Sequence, residues 1–113
     1  MPKISPITAG EILGISAQTV RIFVQREKLP IGTALFRGQW TYDIRTAHVA
    51  EYLRLPVERV NEAVELIKHC RKLKNAGEIT HEEYKDYLVD IREAMERKDD
   101  AAILDLPELQ SAS

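Results

Sequence analysis

The chain has 113 residues, 44% of them apolar and 30% charged, with a net charge of −2, which is globular usage with room for one modest core. Its single cysteine, Cys70, excludes an internal disulfide framework and, with only His48, His69 and His81 for company, a thiolate zinc site. The charge is uneven: residues 1–54 hold seven Lys/Arg against four acids and the rest nine against fourteen, so a net of +3 precedes a net of −5, a distribution that permits nucleic-acid contact without requiring it.

In chain order, Thr8 with Glu11 three residues on has capping-box spacing, so a short helix is expected to begin at Thr8 and to stop at Gly14, which tolerates positive φ. Ile15 then has an apolar side chain to drop between two helices, and Ser16 is the next N-cap. From Ala17 to Lys28, Val20, Phe23 and Val24 fall on one side and Gln18, Arg21, Gln25 and Lys28 elsewhere, the pattern of an amphipathic helix. Two short helices joined by Gly14-Ile15-Ser16 predict a helix-turn-helix.

Beyond Leu29-Pro30, residues 33–36 and 40–44 are β-type stretches around Arg37-Gly38-Gln39 and predict a hairpin with Gly38 in its turn. Thr46 is expected to cap a third helix over 47–53, with Val49, Tyr52 and Leu53 closing a core against Ile12, Val20, Phe23, Val24 and Trp40. Phe36, Trp40 and Tyr42 have rings that stack on bases, yet aromatics on a short hairpin more often roof a small core, and that is the expectation adopted.

Pro56 suits the first turn of a further helix. Apolar residues at 60, 63, 64, 66, 67, 70 and 73 carry it to Asn75 before Gly77. Thr80 and Glu83 form a second capping box, opening a helix with Tyr84, Tyr87, Leu88, Ile91, Ala94 and Met95 on one face until about Lys98. The two helices predict an antiparallel hairpin whose apolar faces exceed what one partner needs, which points to oligomerisation through residues 57–98. The division expected is a head over 1–54, a helical hairpin over 55–98 and an acidic, loosely ordered tail over 99–113.

The segment Leu13-Gly14-Ile15-Ser16, followed by Thr19-Val20-Arg21 and the exit Lys28-Leu29-Pro30, resembles the winged helix-turn-helix of MerR-type and excisionase-type DNA-binding domains over residues 7–54. The resemblance implies a mainly α head with a β-hairpin wing, whose second helix enters the major groove of double-stranded DNA. Carried over by position, Ala17, Gln18, Thr19, Arg21, Ile22 and Gln25 would face DNA. Gln18 and Arg21 are chemically suited to base edges, the amide to adenine and the guanidinium to guanine. Thr19, Arg26 and Lys28, with Arg37 and Gln39 at the wing tip, would hold phosphate. Two features depart from the pattern: Arg26-Glu27 stands where many relatives have an acid-Gly pair, and the stretch from Trp40 to Thr46 is longer than in excisionase-like wings.

His69 and Cys70 are neighbours on a helix and point about 100° apart, and the sequence has neither a phosphate loop nor a nucleophile motif, so an enzyme is not expected. With no apolar run approaching the roughly 20 residues that span a bilayer and no export signal at the start, the expected setting is the cytoplasm of a bacterium or a phage-infected cell. No cofactor, metal or small-molecule effector is expected. The leading reading is an oligomeric, sequence-specific regulator or an excisionase-like architectural factor. Two rivals are a small terminase subunit of a phage packaging machine and an adaptor that uses the same fold to bind protein.

Overall fold

A computed structural model describes residues 3–97, so the tail expected over 99–113 lies outside the described residues. Among these, the chain forms β1 (Lys3–Ile4), α1 (Pro6–Leu13), α2 (Ala17–Gln25), β2 (Gly32–Phe36), β3 (Trp40–Arg45), α3 (Thr46–Leu53), α4 (Val57–Asn75) and α5 (His81–Glu96). The fold is mainly helical with a small antiparallel sheet of order β1-β3-β2. The expected hairpin is its larger part, and Ala34 pairs with Tyr42 and Phe36 with Trp40 across it. The two-residue β1, which pairs Ile4 with Ile44, was not expected; two residues are too short to show an alternating pattern.

Helix α1 starts earlier than its sequence predicts. Ser5, not Thr8, is the N-cap, its Oγ accepting from the Thr8 N–H at 3.1 Å, and Pro6 follows in the first turn, where a missing N–H is harmless and φ is already set. Thr8 is therefore inside the helix and buried, and Glu11 is released for a different partner. Gly14 ends the helix at φ 77°, its N–H returning to the Gly10 carbonyl. Ile15 does not drop between helices; it is 37% exposed. Ser16 caps α2 as expected, accepting from the Thr19 N–H at 3.0 Å.

The core differs from expectation in which apolar residues fill it. Ile12, Val20, Val24 and Val49 are buried as predicted, but Phe23, Trp40 and Tyr52 are 40%, 45% and 48% exposed. On α2, Phe23 lies about 60° from Val20 and about 100° from Val24 around the axis, which puts it at the rim. The space is taken by Ile4, Leu29, Ile31 and Ile44, β-branched or γ-branched side chains that fit between a three-stranded sheet and short helices more closely than an indole does. Thr46 begins α3 rather than capping it from outside, and its fully buried Oγ1 has no hydrogen-bond partner among the described residues.

The C-terminal helices follow their sequence signals: the Thr80/Glu83 capping box is formed in both directions, and α4 ends at Asn75. Val60, Ala63, Val64, Ile67, Cys70 and Leu73 of α4, and Tyr84, Leu88, Ile91, Ala94 and Met95 of α5, are buried. One continuous apolar cluster runs from Ile4 to Met95, because α1 packs on both long helices and α3 on α4. The apolar faces predicted to be surplus are thus largely used within the monomer, leaving Val89 at 42% exposure.

Side chains from the long helices also satisfy helix ends that would otherwise be open. Arg92 donates to the Glu11 carbonyl in the last turn of α1 at 3.0 Å, and the buried Arg59 donates to the Met95 carbonyl near the end of α5 at 3.2 Å. Each places a cation at a helix C-terminus, where free carbonyls and the helix dipole favour positive charge. No single described helix is long and apolar enough to cross a membrane.

Candidate nucleic-acid interface

Helices α1 and α2 meet at 105° across Gly14-Ile15-Ser16, within the range of two-helix units that present their second helix to a ligand. The close approach depends on Gly10, whose position sequence reasoning passed over. A Cβ there would lie 2.5 Å from the Ile15 carbonyl oxygen and 3.3 Å from the Ala17 nitrogen, so only glycine lets the turn fold back against α1. The signal available was a glycine inside a short helical pattern, which usually marks a packing need.

With Val20 and Val24 buried, the helical repeat puts Gln18, Arg21, Ile22 and Gln25 on one continuous face within about 100° of arc. Gln18 is exposed on it, Arg21, Ile22 and Gln25 are half-buried, and Ala17, also half-buried, lies just beside it. Thr19 falls off this face, and its Oγ1 lies 2.7 Å from the Ser16 hydroxyl. Gln25 is not a free side chain: its Nε2 donates to the Tyr42 hydroxyl at 2.6 Å, which ties α2 to β3 and leaves the amide oxygen as an acceptor.

Past α2 the chain reverses through Arg26 and Glu27. Glu27 adopts φ 55°, the left-handed conformation that glycine supplies at many helix ends. The Lys28 N–H returns to the Phe23 carbonyl at 2.9 Å, so the helix terminates with the geometry of a glycine cap despite the substitution of an acid for one. Arg26 and Lys28 are exposed beside this exit, as are Arg37 and Gln39 in the hairpin turn. The structure therefore gathers Gln18, Arg21, Ile22 and Gln25 on one helix face, with Arg26 and Lys28 at its end and Arg37 and Gln39 on the neighbouring hairpin.

The cations of the head divide into those that pair with an acid of the head and those that do not. Among the described residues, Arg21, Arg26, Lys28 and Arg37 form no ion pair, whereas two of the four acids in residues 1–54 are engaged. Glu11 pairs with Arg71 at 2.5 Å. Asp43 pairs with Arg45 at 2.9 Å and Lys3 at 3.9 Å, and the hydrogen bond from Arg45 holds its carboxyl below the usual range. The pairing of Asp43 with Arg45 is local, two residues along one strand, whereas no local signal marked Glu11, whose partner lies on α4.

The hairpin tip departs most from expectation. Phe36 and Trp40 do not roof the core but stand 58% and 45% exposed, their rings 5.4 Å apart and tilted by 49°. They form the last rung of the β2–β3 ladder, two rungs beyond Ala34 and Tyr42, the last pair packed against the core. The readable cue was their symmetric placement about a three-residue turn, which puts both rings at the outer end of a hairpin.

Chemically, this surface offers amide and guanidinium groups, an apolar side chain and exposed cations. Among the described residues no three His, Cys, Asp or Glu side chains are grouped to hold a metal ion. Cys70 is buried, and desolvation pushes its thiol up to about 11, which leaves it without the thiolate a nucleophile needs at neutral pH. A groove of about 380 Å³ between the end of α2 and β2, lined by Val24, Gln25, Leu29 and Ala34 among others, brings only Glu27 as an ionisable group. Comparison with family models, with characterised proteins and with solved structures finds no match to this chain.

Proposed function

We propose that this protein is a non-enzymatic, sequence-specific binder of double-stranded DNA that uses α2 for the major groove and the β2–β3 hairpin as a wing. The observation that carries the proposal is the set of four cations, Arg21, Arg26, Lys28 and Arg37, which form no ion pair among the described residues along α2, its exit and the wing tip, while Glu11 and Asp43 are neutralised by their partners. A duplex is the polyanion such a stripe fits, because each cation near a phosphate releases condensed counterions. In this arrangement Gln18 and Arg21 read base edges, Ile22 meets a thymine methyl, and Arg26, Lys28, Arg37 and Gln39 hold phosphates that fix the register.

The proposal extends to a regulator or architectural factor in the cytoplasm of a bacterial or phage-infected cell, acting as a homo-oligomer. A small head makes few contacts, and linking two raises the effective concentration of the second on its site. With most apolar residues of α4 and α5 committed to the core, Val89 is the large apolar side chain that these helices leave exposed among the described residues.

The test is binding of the full chain to mixed-sequence duplex DNA at two salt concentrations, with Arg21→Ala and Arg37→Ala alongside and light scattering to count subunits. Binding that weakens steeply with salt is expected, with Arg37→Ala lowering the logarithmic salt slope by about 0.9 for the phosphate contact removed. A dimer would favour a regulator and a larger ring a packaging subunit. Absence of binding at low salt would replace the proposal with the protein-adaptor reading.

A further inference from the structure

The Phe36–Trp40 pair has features that a misplaced core residue would not share. The two side chains occupy the same rung and face of the hairpin as a ring contact at 5.4 Å, so each limits the other's freedom before any partner arrives. Strand alternation places them on the same sheet face as Ala34 and Tyr42, and Tyr42 holds Gln25 of α2. The pair therefore lies on the side of the sheet that carries α2, two rungs beyond the Tyr42 that meets Gln25 at the end of that helix. The tip from Phe36 to Thr41 includes one cation, Arg37, and no acid, and the next acid along the strand, Asp43, is occupied by Arg45 and Lys3.

An apolar pair next to a cation, with no acid nearby, fits a partner that is anionic outside and apolar within. Stacked bases between phosphate rails have that construction. A second copy of the tip does not, since a two-fold contact between identical tips would bring Arg37 against Arg37. We infer that Phe36 and Trp40 form an apolar wedge that enters the minor groove adjoining the site of α2, unstacks a base step and kinks the duplex, with Arg37 on the flanking phosphate. The inference rests on the DNA-binding reading above and adds to it a deformation of the DNA, so the site would be chosen partly by how easily a step opens.

The chain has one tryptophan, which makes Trp40 its own reporter. The full chain is titrated with a mixed-sequence duplex carrying a donor and an acceptor dye at its ends, while binding is followed separately by anisotropy. An indole stacked on a base loses emission by electron transfer to that base, so Trp40 emission is expected to fall at saturation and the dye separation to report a bend of about 20–90°. Phe36→Ala and Trp40→Ala, both at exposed positions, are expected to keep the melting temperature and the salt slope. They should bind roughly 5- to 150-fold more weakly, the span of base–aromatic stacking, and leave the duplex straight. Binding with unchanged Trp40 emission and a straight duplex, or a bend that survives in Trp40→Ala, would overturn the wedge and leave the DNA-binding reading intact. A change in Trp40 emission with protein concentration alone would assign the tip to a second copy and also overturn it. Absence of any anisotropy change at low salt would remove both readings together.

Discussion

Glu11 of α1 and Arg71 of α4 lie 60 positions apart in the chain and meet at 2.5 Å. The same carboxylate accepts from the Tyr84 hydroxyl of α5, and Arg71 also donates to Thr8 Oγ1 at 3.1 Å. One acid thereby joins three helices and locks the head onto the helical hairpin. The side chains are 32% and 16% exposed, so solvent screens the pair and its value falls below that of a fully buried one. Glu11→Gln is expected to lower stability by about 1–3 kcal/mol, as is Arg71→Met, and the double variant should lose clearly less than the two single losses combined. Urea unfolding of the four proteins measures this, and strict additivity would show that the contact does not couple the helices.

Tyr84 sits against Glu11, where burial, and then the hydrogen bond to that carboxylate, pushes its hydroxyl up to about 12 from an ordinary 10. The folded state then holds the phenolic proton where the unfolded chain releases it. The associated stabilisation is complete below about pH 10 and is lost as pH rises through about 12. Unfolding free energy should therefore drop between about pH 10 and about pH 12 in the native chain, and drop less in Tyr84→Phe. Equal losses in the two proteins would show that Tyr84 does not contribute to the alkaline transition.

Glu27 carries a strain that glycine would not. A side chain at φ 55° costs roughly 1–2 kcal/mol from the approach of Cβ to the following carbonyl, and glycine would return part of this by making the unfolded chain freer. Glu27→Gly is expected to raise stability by roughly 0.5–1 kcal/mol on these grounds. Removing an acid beside Arg26 and Lys28 should also tighten DNA binding at low salt more than at high salt. Thermal melting and the two-salt binding assay check the two halves independently; a lower melting temperature would mean Glu27 makes up for its backbone elsewhere.

Gly10 predicts a loss of both fold and function from one methyl group. In Gly10→Ala the new carbon would lie 2.5 Å from the Ile15 carbonyl oxygen, and backbone on both sides must move to admit it. An overpacking cost of about 1–3 kcal/mol is expected, together with a changed angle between α1 and α2 and weaker DNA binding. Hydrogen exchange should show the loss of protection concentrated at the Gly14 and Ile15 amides, which both bond to the Gly10 carbonyl. A variant with native stability and protection would show that the turn has slack.

The candidate interface was legible in the sequence only where its geometry is local. Gln18, Arg21, Ile22 and Gln25 share a face because the helical repeat puts them there once Val20 and Val24 are recognised as buried. That Gln25 is held by Tyr42 and that Phe36 and Trp40 lie on the same side of the sheet depends on how the hairpin docks on α2, and no local pattern encodes the docking.

By itself the sequence determined the elements whose signals lie within a few residues: the Ser16 cap, the Gly14 stop, the hairpin around Gly38, the Thr80/Glu83 box and the span of α4. Caps, turns and amphipathic periods are contacts between near neighbours, so their partners can be read along the chain. Tertiary structure alone decided that Leu29, Ile31 and Ile44 fill the core while Phe23, Trp40 and Tyr52 face outward. It also decided that Glu11 answers to Arg71 and Tyr84 rather than to the start of its own helix. Hydrophobicity ranks an aromatic as highly as an isoleucine, but a close-packed interior admits the shape that fits, and an acid takes the strongest partner that folding brings within reach.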